Sequence, residues 1–271
     1  MGDLAAEAGQ GSGAPSEQQE ECQVQIPLRP GPVPARLIQR VNRFLLDCRL
    51  ESNEARVSAH LPNSGRLGEI LRPGARLWLR PSPPGGRRKT AWTAVLAEVG
   101  AGGPKREVTY VSLDTTLPND LAAAALEQGN LPEFQGWRLV RREFSIDGKR
   151  FDFLLENGQG ERLVLEVKSV SKVVDGFGLF PDAVTERGRR HLALLLDLHR
   201  RRGWRGAVLF VVQRLDARVV TADEEADPAF TAVFRQILAA GVPCLARRCR
   251  VTPERVELCE PLPVVPARGG A

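Results

Sequence analysis

The stretch RFDFLLENGQGERLVLEVKS, residues 150–169, decides how the second half of the chain folds. Two apolar runs flank Asn157-Gly158-Gln159-Gly160, so the segment reads as a β-hairpin. Each strand nevertheless carries charge: Asp152 on the first, Glu166 and Lys168 on the second. Charged groups are rarely buried unless paired or metal-bound. A turn centred on Gln159 sets Asp152 opposite Glu166 and Arg150 opposite Lys168. Side chains alternate along a strand, so Glu166 and Lys168 share a face. Directly opposed residues have Cβ atoms about 4.5–5.5 Å apart. This register gathers Asp152, Glu166 and Lys168, and assigns Phe151, Phe153, Leu163, Leu165 and Val167 to a core face.

Opposed carboxylates repel. Lys168 offsets part of that repulsion. A divalent cation offsets it better, because carboxylate oxygens are natural ligands of Mg²⁺ and Mn²⁺. Such a site accepts a phosphate oxygen and activates water, with Lys168 holding the water or stabilising charge on the phosphate. The residues therefore point to metal-dependent phosphodiester cleavage with Asp152 and Glu166 as metal ligands. The plain alternative is a surface hairpin whose outer face carries a salt bridge. Glu143, on the preceding strand, is a candidate further ligand or a solvated charge.

FPDAVTERGRRHLALLLDLHRRRG is the second unusual stretch, expected to be helical from about residue 181 to 202. Helical spacing puts Val184, Arg187, His191 and Leu198 on one core-facing stripe. Arg187 is a candidate phosphate ligand, since guanidinium matches phosphate geometry; pairing with Asp182 or Glu186 is its structural alternative. His191 would position a water or a phosphate. Gly188 costs about 1 kcal/mol relative to Ala inside a helix, so a close backbone approach to the sheet is expected there.

The rest of the chain divides by texture. Residues 1–27 form an acidic tail with no apolar signal segment, expected to be disordered. From 28 to 112, short alternating strands punctuated by Gly and Pro suggest a small β-barrel. From 113 to 262, strands mix with helices, as in an α/β sandwich; Asn119 is expected to cap the first helix and Gly129 to end it. Residues 263–271 form a flexible end. Five cysteines without a C-x-x-C pair read as reduced structural thiols of a cytoplasmic protein. No apolar run is long enough to span a bilayer. Lys plus Arg exceeds Asp plus Glu by 38 − 33, a net +5, and the first 21 residues hold five acids and no base. The remainder is therefore more basic than the total, which favours a polyanionic partner.

Several blocks together resemble one family. HLPNSGRLGEILRPG, RRKTAWT, DTTLPN, FDFLL, EVKSV and above all FPDAVTERGRRHL resemble the sugar fermentation stimulation protein (SfsA) family, from about residue 34 to 262. The resemblance implies an OB-like barrel followed by a PD-(D/E)XK restriction-endonuclease-like α/β/α domain. Asp152 then stands as the acid of the pattern, and Glu166 and Lys168 as its E-x-K. It also implies DNA binding and a nuclease acting on DNA or RNA. Leu61, where the family often has Cys, leaves that position without a thiol.

In the barrel, Arg43, Asn63, Arg66, Arg88, Lys89 and Trp92 are candidates for nucleic-acid contact, and Arg150 joins them beside the acids. Trp92 equally suits the core, and Asn63-Ser64-Gly65 equally suits a plain turn. With aromatics at 6% of residues, backbone recognition by Arg is expected to outweigh base stacking. A non-catalytic DNA-binding regulator of sugar-metabolism genes is the competing reading. A glycosidase is a third, disfavoured by Lys168 and by the few aromatic platforms. Oligomeric state stays open, with a homodimer among the options.

Overall fold

A computed structural model describes residues 22, 24–82, 89–100, 108–201 and 203–267. After a short strand β1 (Val24–Pro27), six strands build the first unit: β2 (Val33–Asn42), β3 (Leu45–Leu50), β4 (Arg56–His60), β5 (Arg76–Pro81), β6 (Trp92–Gly100) and β7 (Val108–Ser112). Alternation decides their inner face. Ala35 and Leu37 of β2, Leu46 and Cys48 of β3, and Leu77 and Leu79 of β5 point inward and form one core, against which Trp92 packs. The strand order is β4-β3-β2-β5-β6-β7, and β4 also pairs in parallel with β6. That pairing closes five strands into a barrel and leaves no free edge among them.

The second unit contains α1 (Leu117–Glu127), β8 (Trp137–Ile146), β9 (Lys149–Asn157), β10 (Arg162–Val170), β11 (Lys172–Val174), β12 (Phe177–Phe180), α2 (Glu186–Arg200), β13 (Trp204–Val212), β14 (Val219–Ala222), α3 (Pro228–Ala239), β15 (Cys244–Val251) and β16 (Arg255–Leu262). The main sheet runs β1-β16-β15-β13-β10-β9-β8, while β11, β12 and β14 form a small second sheet. β10, β13 and β15 are parallel, and β9 returns antiparallel to β10. β13 reads GAVLFVV, apolar throughout, because both its faces are covered. On one face Leu117 and Leu121 of α1 meet Phe153, Leu163, Leu165 and Val167, together with Val95 and Leu96 of the barrel. On the other, Leu192 and Leu195 of α2 and Phe230 and Phe234 of α3 meet Val164, Val208 and Phe210. The result is a mixed α/β chain, barrel first and α/β/α sandwich second, as expected.

Several local expectations need correction. β1 lies inside the stretch expected to be tail: it adds to β16 as an edge strand and buries Val24. That edge brings together Cys22 and Cys259, 237 residues apart, which form a disulfide. The expectation of five reduced thiols therefore fails for this pair. Cys48, Cys244 and Cys249 remain free. Asn119 lies inside α1 and does not cap it; Thr116 holds the N-cap position. α2 starts at Glu186, not near Pro181, with Thr185 Oγ1 accepting the Gly188 N–H at 3.1 Å. Val184 therefore precedes the helix and is 71% exposed. Gly188 makes its close approach to Thr185 and to Phe230 of α3, not to the sheet. Phe151 packs on the α2 side, across the sheet from Phe153.

Candidate active site

The hairpin register is the one the turn predicts: Leu163 pairs with Leu155, Val164 with Leu154 and Leu165 with Phe153. At Asp152 the ladder stops. The Asp152 carboxylate replaces a backbone acceptor, with Oδ2 taking the Val167 N–H at 2.7 Å. Its Oδ1 accepts from Asn119 Nδ2 of α1, also at 2.7 Å. The helix on one face of the sheet thus fixes the carboxylate on β9.

Glu166 is buried between two cationic or potentially cationic partners. Its Oε1 accepts from Lys168 Nζ at 2.5 Å and lies 2.7 Å from His191 Nδ1. His191 is itself buried against Phe151, with ring centroids 4.9 Å apart. Spacing of i and i+2 on β10 and a helix packed across that face bring the three together. The charge balance is unequal. Burial raises the Glu166 carboxyl, but Lys168 and His191 outweigh it and hold the group below its ordinary value. Burial, and then the Glu166 charge, push the Asp152 carboxyl above the ordinary aspartate value, although the Val167 N–H, Lys168 and Asn119 pull it back.

These donors fit a hard divalent cation. Glu166 Oε2 is buried without a hydrogen-bond partner, and a buried acceptor left unmet is costly. Asp152 faces a like charge that a cation would offset. Among the described residues no group of three or more acids, histidines or cysteines surrounds a common point. The two carboxylates are the protein ligands that a site of this kind would offer, since Mg²⁺ takes one or two carboxylates and fills its remaining positions with water and phosphate.

Two family models match the chain. One, described as the sugar fermentation stimulation protein RE domain, spans residues 116–255, and the other, the SfsA N-terminal OB domain, spans residues 38–108. A sugar fermentation stimulation protein homolog of Moorella thermoacetica is 41% identical over 232 residues, covering 86% of this chain and 96% of its own. One from Chloroflexus aurantiacus is 41% identical over 243 residues, covering 89% of each chain.

The chain belongs to the sugar fermentation stimulation protein family.

A solved SfsA structure from Pyrococcus furiosus, described as a complex with Ca²⁺, superimposes with a TM-score of 0.76 at 26% identity, covering 89% of this chain and 98% of that one. In the present SfsA chain, Asp152, Glu166, Lys168 and His191 form one cluster. Glu143 does not join it: it has a φ of 54° on β8, and its exposed carboxylate lies 3.7 Å from Arg150. Arg187, in the first turn of α2, is exposed rather than core-facing. With Lys149, Arg150 and Arg190 it lines a basic groove that reaches His191.

On the other side of the cluster the barrel closes in. Arg43 and Asn63 line a cavity with Lys168, Ser169 and Ser171, and Arg66 lines its continuation along the barrel. Asn63 is buried and its Oδ1 accepts the Gly65 N–H at 2.9 Å, so it does form a turn as well as a wall. Lys89 is exposed, and Arg88 lies outside the described residues.

Two residues escaped the sequence reading. Asn119 carried a capping signal that concealed its role toward Asp152. Asp182 looked like a local partner for Arg187, but it reaches the barrel and accepts the Leu67 N–H. No local pattern could show that contact, which joins residues far apart in the chain.

Proposed function

We propose that this SfsA protein is a metal-dependent nuclease that hydrolyses phosphodiester bonds of DNA or RNA. The observation that carries this reading is the Asp152–Glu166–Lys168 set on one paired hairpin, with the buried Glu166 Oε2 left unmet. The Ca²⁺ in the Pyrococcus furiosus relative supports a divalent cation here. Held by Asp152 and Glu166, Mg²⁺ or Mn²⁺ would supply Lewis acidity to the attacking water and to the leaving oxygen.

The chain's own residues do the rest. Asn119 and the Val167 N–H hold Asp152 in one orientation. His191 holds the Glu166 carboxylate, leaving Oε2 for the cation. Lys168 Nζ places a positive charge where charge develops on the phosphoryl oxygens. Arg150, Arg187 and Arg190 would bind flanking phosphates.

The deciding experiment incubates labelled DNA and RNA, single- and double-stranded, with the protein in Mg²⁺, Mn²⁺ or EDTA, beside Asp152→Ala. Cleavage that needs both metal and Asp152 establishes the nuclease. One observation favours the regulator: Glu166 Oε1 is already paired with both Lys168 and His191, a set that can stand without metal. Salt-sensitive binding with no cleavage under any metal would leave the regulator as the answer.

A further inference from the structure

Between the barrel and the sandwich lies a polar cavity of about 270 Å³ with Lys168 in its wall. One side is the barrel loop Asn63-Ser64-Gly65, and the other is the segment from Phe180 to Thr185 that leads into α2. Both sides are fixed. Arg40 reaches three carbonyls of the barrel loops, donating to Arg66 O at 2.5 Å, Gly65 O at 2.8 Å and Arg43 O at 3.0 Å. Across the seam Asp182 accepts the Leu67 N–H, and Gly65 leaves no room for a side chain, since a Cβ there would stand 2.0 Å from Asp182 Oδ2. Walls tied at both ends do not part easily.

The lining of this cavity is mostly uncharged and hydrogen-bonding. Asn63, Ser64, Thr115, Ser169 and Ser171 contribute amide or hydroxyl groups, and Leu179, Phe180 and Pro181 add apolar surface. That mixture suits the edge and face of a base with its sugar. At 270 Å³ the space lies below the ~300–1,000 Å³ of ordinary ligand clefts, room for one nucleoside and too little for a base pair. Arg43 lines the cavity, and its neighbour in the chain, Phe44, is 48% exposed and stacked on His60. An exposed aromatic beside a guanidinium is the usual platform for an unpaired base. On the far side of Lys168 and Glu166, the basic groove of Arg150 and Arg187 touches His191. The acid cluster therefore lies between a base-sized cavity and that basic groove.

We propose that the substrate is single-stranded nucleic acid, threaded from the basic groove across Glu166 and Lys168, with one unpaired nucleotide seated in the cavity between the Asn63–Gly65 loop and the Phe180–Thr185 segment. The barrel is then part of the substrate site and sets strand specificity. This rests on the nuclease reading for the scissile position, but the cavity's occupancy is tested without cleavage.

The test measures binding of full-length Asp152→Ala protein to labelled single-stranded DNA, single-stranded RNA and blunt duplex DNA of equal length by fluorescence anisotropy. A 2-aminopurine placed along the single strands reports an unstacked base. Single strands of DNA or RNA should bind at least about tenfold tighter than the duplex, with 2-aminopurine emission rising at one position only. Adding Ser64→Trp, an exposed position in the cavity wall, should weaken single-strand binding about tenfold and remove that emission change. If Ser64→Trp lowers the melting temperature, Arg43→Ala takes its place and should weaken binding likewise.

Duplex bound as tightly as single strand, or cavity variants that bind like their parent, would overturn the proposal. So would wild-type protein that cuts inside a blunt duplex as fast as a single strand, although the nuclease reading would survive. Single-strand preference with no cleavage by wild type would leave the cavity assignment standing and remove the nuclease reading.

Discussion

The Asp152 carboxylate accepts the Val167 N–H across the hairpin at 2.7 Å, where the strand ladder itself has already ended. A side chain thus substitutes for backbone between the two acids of the cluster. The arrangement fixes Asp152 relative to the Glu166-Val167-Lys168 segment without a flexible link. It also ties the site to the sandwich core, because Val167 packs on the α1 side while Glu166 and Lys168 face α2.

Asn119 is the remaining constraint on Asp152. Removing a hydrogen bond to a charged group loses about 1.5–3 kcal/mol, so Asn119→Ala should reduce the cleavage rate about tenfold or more with the substrate still bound. Steady-state kinetics with a fluorogenic oligonucleotide would show the change in kcat. An unchanged rate would mean that the Val167 N–H alone positions the carboxylate.

Lys168→Met leaves Glu166 buried with only His191 beside it. Breaking a buried pair costs about 3–5 kcal/mol, which urea unfolding would read as a lower midpoint. Adding Glu166→Gln should recover most of the stability and none of the activity. That pattern separates the structural contribution of the pair from its chemistry.

Gly65→Ala drives a methyl into Asp182 Oδ2. Because Asp182 is tied to Leu67, the loop rather than the carboxylate must shift, at about 1–3 kcal/mol. The melting temperature should fall, and single-strand binding should weaken with it.

Asp182 also gives a pH signature. Burial pushes its carboxyl above the ordinary 3.8; Glu69 adds to the rise, while the Leu67 N–H and Lys172 oppose it. The folded state therefore holds this proton more tightly than the unfolded chain. The associated stability is complete below 3.8 and is lost as pH rises through the folded value. Asp182→Asn keeps an acceptor for Leu67 and cannot ionise, so its melting temperature should gain on wild type across that window and hold a constant offset above it. Parallel melting curves at every pH would contradict the assignment.

Burial pushes the Cys48 and Cys244 thiols up to about 12 and raises Cys249 as well. A thiolate is the reactive form, so native protein should react only slowly with Ellman's reagent. Denatured but unreduced protein should show three thiols, and reduced protein all five. Five without reduction would show that Cys22 and Cys259 are not joined.

Sequence by itself determined the hairpin, its register and the company of Asp152, Glu166 and Lys168. Those follow from a two-residue period and a glycine-rich turn, which are local rules. It also marked the barrel and the sandwich through their alternation and their helix signals. Only the tertiary structure decided which charges reach the site. Arg187 and Glu143 were credible on spacing, but Arg187 stands exposed in the first turn of α2 and borders the cluster through the basic groove rather than from the core, and the positive φ of Glu143 accompanies a side chain directed to solvent. Asn119, Asp182 and the Cys22–Cys259 bond involve partners 33 or more residues away, and nothing in a local pattern encodes such contacts. They exist because α1, the barrel and β1 pack onto one sheet, and packing is a property of the whole chain.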